Sequence, residues 1–252
     1  MKTKTTKQKT FFIGKEKLVI QNESDFISIL KKLVESATLK SVFVKKTGGS
    51  YGGSNTYRIT EADFNGSVNF SEMFSVITRS GFLFQETINQ HSEMNRLNSS
   101  CLNTIRMDSF VDKQTNVHLM SAFLRMSSVL NHVDNVSAGG CFVGVDMETG
   151  KLNKTGYTSV TIAGGKLLES HPLTNIVFET FTIPYFDEVK KLVTRAAGLV
   201  PSLRLIGWDI AITPNGPILI EGNTRYAIQV NDLTYGGYRK HPVFKQVLEE
   251  IN

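Results

Sequence analysis

The chain has 252 residues, 40% hydrophobic and 20% charged, the balance of a globular protein that buries a core in one large or two small domains. No apolar run approaches the roughly 20 residues that span a bilayer, and the apolar stretch Phe11–Gly14 after the basic start is too short for a signal peptide. Cys101 and Cys141 lack metal spacing and make no disulfide framework, so a cytoplasmic location is expected. The formal charge of +5 suits an anionic ligand such as a nucleotide, and with no helix-turn-helix, zinc-finger or RNA-binding signature nucleic acid is not the expected partner.

Lysines crowd residues 1–17, which read as a basic, disordered tail. Ser24 caps a predicted helix through about Glu35, with Phe26, Ile29, Leu30 and Leu33 at helical spacing. A short strand, Ser41 to Val44, ends on Lys45 and Lys46 and runs into TGGSYGGSN; a second strand follows from Thr56 to Ile59. Ser71 caps a predicted helix through Thr78, Gly81 ends it, and Phe82 to Ile88 reads as a strand. Cys101 to Met126 alternates in two stretches separated by VDKQTN, and Gly139 to Val145 is a strand entering a turn. Pro184 to Gly198 is the clearest helix, with Val189, Leu192, Val193 and Ala196 on one stripe. A hairpin follows, and His241 to Ile251 closes the chain as a helix with Pro242 in its first turn. Paired strands with few intervening helices predict an α+β fold with antiparallel sheets.

Two segments carry chemistry. In the first, a strand, Lys45 and then Gly48, Gly49, Ser50, Gly52 and Gly53 make an arrangement that cradles phosphate: glycines let backbone N–H groups approach an anion, and the lysine supplies a point charge. The string is neither a Walker loop nor a dinucleotide fingerprint, because a strand follows it. A plain surface hairpin is the alternative.

The second is GWDIAITPNGPILIEGN. Two apolar runs flank a Thr-Pro-Asn-Gly turn, the pattern of a short-looped hairpin. With Pro214, Asn215 and Gly216 as the loop, Thr213 pairs with Pro217 and Asp209 lies opposite Glu221. Asn223 points to the same face, while Ile210, Ile212, Ile218 and Ile220 read as core. Opposed carboxylates, about 4.5–5.5 Å apart at Cβ, repel each other. A divalent cation relieves this, and Mg²⁺ favours such all-oxygen ligation. The alternative is an ordinary hairpin with solvent-facing acids.

Together VFVKKTGGSYGG, FLFQETINQHSEMNRLNSSCLNTIRM, DNVSAGG, VDMETGKL and GWDIAITPNGPILIEGN resemble the ATP-grasp superfamily, and most closely its sugar-transfer-associated branch, over roughly residues 18 to 252. The resemblance implies a nucleotide held between a small subdomain, residues 18–86, and a larger one, residues 87–252. It implies that Lys45 meets the ATP phosphates and that Gln85, Glu86, Thr87 and Ile88 form the hinge for adenine, with Glu86 or a near neighbour on the ribose. Arg106 would face the γ-phosphate or the acceptor, and Asp209, Glu221 and Asn223 would ligate Mg²⁺. Tyr51 stands where the glycine loop often has a lysine. Members often carry a preceding domain that helps bind the acceptor, here expected to be missing, or the chain a fragment.

The implied activity is ligation: ATP activates a carboxylate as an acyl phosphate, and an amine or other nucleophile displaces phosphate, acting on a small-molecule or glycan acceptor in polysaccharide biosynthesis. Phosphoryl transfer to a sugar hydroxyl and non-catalytic nucleotide binding are the alternatives.

Overall fold

The computed structural model describes residues 9–13, 16–46, 56–66, 68–79, 81–130, 140–158 and 165–251. They belong to two units, residues 1–88 and 89–252.

In the first unit, strands β1 (Lys9–Ile13) and β2 (Glu16–Ile20) pair as an antiparallel hairpin. Here the structure differs from the tail expected over residues 1–17. The lysines that suggest a tail flank two apolar triplets, Phe11-Phe12-Ile13 and Leu18-Val19-Ile20, and such triplets around Gly14-Lys15 are themselves a hairpin pattern. Helix α1 (Glu23–Ser36) starts two residues earlier than expected: Asn22, not Ser24, is the N-cap, and its side chain accepts from the Asp25 amide. Strands β3 (Ser41–Lys46), β4 (Thr56–Thr60) and β5 (Phe82–Glu86) form an antiparallel sheet in the order β4-β3-β5. Val42, Val44 and Ile59 on one of its faces pack against Phe26, Leu30 and Val34 of α1 and Met73 and Ile77 of α2 (Phe70–Arg79). The opposite face carries Phe43, Lys45 and Gln85.

The second unit is built on a seven-stranded antiparallel sheet of β6 (Thr104–Val111), β7 (Val117–Ser127), β8 (Gly140–Val145), β9 (Leu152–Thr158), β10 (Leu167–Leu168), β11 (Leu205–Thr213) and β12 (Gly216–Asn223). The order is β10-β9-β8-β7-β6-β11-β12. On one face Ile105, Met107, Leu124, Val143, Ile210 and Ile212 meet Met94 and Leu97 of α3 (Ser92–Leu97) and the Val189–Val193 stripe of α4 (Phe186–Leu199). Trp208 joins this core, and its indole N–H donates to Ser109 Oγ at 2.7 Å. His91 caps α3.

The other face takes α5 (Gln229–Tyr235), with α6 (Phe244–Ile251) closing the chain. Gly144 lets α5 dock. A Cβ there would lie 2.8 Å from the Thr234 carbonyl oxygen and also strike the Asn153 amide. The Asn153 side chain can turn away, but the carbonyl belongs to the helix backbone. Gly144→Ala is therefore expected to destabilise the unit by about 1–3 kcal/mol, read from the urea midpoint. An unchanged midpoint would mean that α5 lifts freely from the sheet.

Candidate functional site

The Asp209 hairpin reaches the expected pairing by a different route. Thr213 pairs with Gly216 and Ile212 with Pro217, so the loop is two residues, Pro214 and Asn215. Left alone, this register would place Asp209 opposite residue 220. A β-bulge intervenes: Ile210 pairs with Leu219, whereas Asp209 pairs with Glu221, leaving Ile220 as the extra residue. Gly207 then pairs with Asn223, so Asp209, Glu221 and Asn223 do share a face. The bulge also breaks the alternation, which corrects the expected core. Leu219 packs with Ile210 and Ile212, while Ile218, opposite Ala211, is 37% exposed on the Asp209 face.

Asp209 is buried and sits between two guanidinium groups. Arg106, its partner on β6, donates Nε to Oδ1 at 2.6 Å and Nη2 to Oδ2 at 3.0 Å. Arg125 on β7 places Nη2 3.0 Å from Oδ1, and its Nε and Nη2 also reach Thr104 Oγ1 at 3.0 and 2.8 Å. Burial pushes the Asp209 carboxyl upward, but the charge of Arg125 and the hydrogen bond and charge of Arg106 outweigh it and hold the carboxyl below its ordinary value. The arginines thus provide the compensation that a like-charge pair with Glu221 alone would lack. Glu221 is exposed. The Asn223 amide nitrogen lies 3.3 Å from Glu221 Oε1 and 3.5 Å from Asp209 Oδ2. Among the described residues no group of three or more His, Cys, Asp or Glu is placed to hold a metal. The donor set here is two carboxylates and an amide on one face, all hard oxygen donors, and it fits Mg²⁺ rather than a softer ion.

Arg125 escaped the sequence reading. Its signal is a charged residue inside the apolar run SAFLRM, with the parity of Phe123. Arg106 and Arg125 meet because β6 is central, paired with β7 on one side and β11 on the other.

In the first unit the structure brings Lys45 and Gln85 together: Lys45 Nζ donates to Gln85 Oε1 at 3.0 Å and lies 5.6 Å from the Phe43 ring centroid. Glu86 faces the other way. It pairs with Val42 at the sheet's end, and its carboxylate accepts from the Thr38 amide at 2.6 Å, a bond that holds it below the usual carboxylate range. Thr87 follows β5 and remains tied to β3, its amide donating to the Ser41 carbonyl at 3.2 Å and its hydroxyl bonding that of Ser41 at 2.7 Å. Ile88 is half-buried. Gly48, Gly49, Ser50, Gly52 and Gly53 lie outside the described residues, as do residues 134–139 of the DNVSAGG string that Asp134 and Asn135 open.

Residues 4–247 match the family described as sugar-transfer associated ATP-grasp. The chain belongs to this family. The ATP-grasp fold accords with the antiparallel α+β units above. Among solved structures, N5-carboxyaminoimidazole synthetase from Staphylococcus aureus, complexed with ADP, is similar over 79% of this chain and 38% of its own, at 13% identity and a TM-score of 0.43. The biotin carboxylase domain of 2-oxoglutarate carboxylase from Hydrogenobacter thermophilus, in complex with MgADP, ADP and bicarbonate, is similar over 81% and 35%, at 14% identity and 0.46. For D-alanyl-alanine synthetase A from Vibrio cholerae the figures are 81% and 48%, 12% and 0.46. The chain therefore spans less than half the length of each. No curated protein matches it. Among the described residues of this ATP-grasp chain, no helix is long and apolar enough to cross a membrane.

Proposed function

We propose that this ATP-grasp protein is an ATP- and Mg²⁺-dependent ligase that joins a carboxylate to an amine, acting on a small-molecule or glycan acceptor of cell-surface polysaccharide synthesis in the cytoplasm. The observation that carries the reading is the convergence of Asp209, Glu221 and Asn223 with Arg106 and Arg125 on one sheet face. The first unit acts as the small nucleotide-binding subdomain and the second as the metal-bearing one. Lys45, with Gln85, serves the nucleotide phosphates, and residues 85–88 serve the adenine side. Asp209, Glu221 and Asn223 would hold the ion, which supplies charge neutralisation at the phosphate oxygens when bound. Arg106 meets the terminal phosphate as its oxygen bond to ADP breaks and the acceptor carboxylate takes the phosphoryl group. Arg125 keeps Asp209 ionised beside it. An amine then attacks the acyl carbon, phosphate leaves and the amine loses a proton. Charge placement accomplishes this without a protein nucleophile.

Calorimetry of ATP binding with Mg²⁺ and with EDTA tests the metal site, and equal affinity in EDTA would remove it. ATP consumption against uronic-acid glycans and amino acids, with mass analysis, tests the reaction. Free phosphate with a new amide supports ligation, whereas a phosphorylated acceptor would replace it with a kinase reading.

Lys45→Ala is expected to weaken ATP binding about 10- to 100-fold, the value of a charge-assisted phosphate contact. Lys45 is half-exposed, its ammonium donating to Gln85 and lying near the Phe43 ring, and polar contacts of this kind are worth about 1 kcal/mol or less, so the melting temperature should fall by no more than a few degrees. An early-melting variant with normal ATP affinity would make Lys45 structural.

A further inference from the structure

Behind the two arginines, on the same sheet face, lies a buried polar cluster. Asp108, two residues after Arg106 on β6, is fully buried, as is Asn231 on α5. Tyr238 donates its hydroxyl to Asp108 Oδ2 at 2.8 Å and bonds Ser121 Oγ at 2.5 Å, and Asn231 Nδ2 donates to Ser121 Oγ at 3.2 Å. Among the described residues, three buried atoms of the cluster have no hydrogen-bond partner: Asp108 Oδ1, Asn231 Oδ1 and the Tyr226 hydroxyl. Tyr226 and Asn231 both lie near enough to Asp108 to draw its carboxyl down, but neither makes a well-formed hydrogen bond to it.

Buried polar atoms rarely stay unpaired. With Asp108 ionised, two of these three only accept, and the third is a hydroxyl. One water in reach of all three would donate to Asp108 Oδ1 and Asn231 Oδ1 and accept from Tyr226. A cation suits the place less well, since the Arg106 charge already acts on Asp108.

Tyr226 links this cluster to the candidate site. The Arg106 guanidinium carbon lies 5.6 Å from the Tyr226 ring centroid. Gly207 closes the other side, where a Cβ would come within 3.1 Å of Arg106 Cδ and 3.2 Å of Tyr226 Cδ1. The arginine stem is thus confined by a tyrosine that follows Asn223 by three residues. We propose that Asp108 is a positioning residue: through one buried water shared with Tyr226 and Asn231 it fixes the Tyr226 ring, and that ring aims Arg106. This rests on the reading that Arg106 meets the terminal phosphate of ATP.

The test compares MgATP with MgADP by calorimetry, because only ATP offers that phosphate. Arg106→Lys, which keeps the charge and loses the fork, is expected to raise the Kd for MgATP about tenfold and to leave MgADP within about twofold. Tyr226→Phe and Asp108→Asn are each expected to reproduce this selective loss, about 3- to 10-fold for MgATP.

Stability supplies a second readout. Burial raises the Asp108 carboxyl to about 7, facing Arg106 on its own strand, Tyr226 after β12 and Tyr238 after α5. A carboxyl raised on folding binds its proton more tightly in the folded state. Wild-type stability therefore falls as pH climbs from the ordinary carboxylate value through about 7. Asn carries no such loss, so the melting temperature of Asp108→Asn relative to wild type should be higher at pH 8 than at pH 5. If Arg106→Lys weakens both nucleotides alike, the phosphate reading fails. If Arg106→Lys is selective while Tyr226→Phe and Asp108→Asn keep the wild-type ratio, or lose both nucleotides equally, the positioning role is overturned.

Discussion

Asp209→Asn is expected to cost about 3–5 kcal/mol of stability, the loss typical of breaking a buried ion pair from one side, and to lower the melting temperature by roughly 6–20 °C. The cause is what it leaves behind. The Arg106 and Arg125 side chains are only 11% and 16% exposed, and an amide gives them one acceptor and turns two of its own hydrogens toward their donors. The sign with pH follows from the lowered Asp209 carboxyl. Its contribution is complete above the ordinary carboxylate value and is lost as pH falls through the still lower folded value. The gap between wild type and Asp209→Asn should therefore be widest near neutrality and close in strong acid. Thermal melts from pH 7 down to pH 2 check this; a constant gap would mean that the arginines are not what Asp209 stabilises.

Glu221→Gln should behave in the opposite way. Glu221 is exposed and meets the Asn223 amide at 3.3 Å, so its charge adds little to the ligand-free protein, and stability should stay within about 0.5 kcal/mol of wild type. Any repulsion from Asp209 would be relieved. The loss should appear in function: the gain in ATP affinity on adding Mg²⁺ should disappear, and turnover with an identified acceptor should fall by about 10² or more. Melts without ligand, set beside calorimetry with and without Mg²⁺, separate the two roles. A destabilised variant that keeps its Mg²⁺-dependent affinity would sink the metal assignment.

The contrast between these carboxylates was only half legible in the sequence. Their pairing was readable, because two apolar runs around Thr-Pro-Asn-Gly leave few registers. It was reached through two offsetting differences, a loop one residue shorter and a bulge at Ile220 that restores the count. No composition rule announces a bulge, so Ile218 read as core although it faces the carboxylates. Long periodic elements such as α4 were plain, since Val189 and Val193 sit on one stripe and both are fully buried. The Arg125 contact was not, because a strand order that puts β7, β6 and β11 side by side is set by tertiary packing. Likewise Glu86, read as a ribose neighbour, has its carboxylate on the Thr38 amide, a contact 48 positions apart that spacing along the chain does not disclose.

If Asp209 holds the ion as proposed, its double guanidinium clamp would also separate folding from metal loading. Many metal sites are held together by their ion, and chelators unfold them. Here the buried carboxylate already has its counter-charges from the chain itself. The protein should therefore survive a chelating purification intact, and an ion arriving alone must compete with two fixed cations. On the proposed reading, one that arrives already bound to a polyphosphate would bring new partners for those arginines, so that nucleotide and metal would load in a single event.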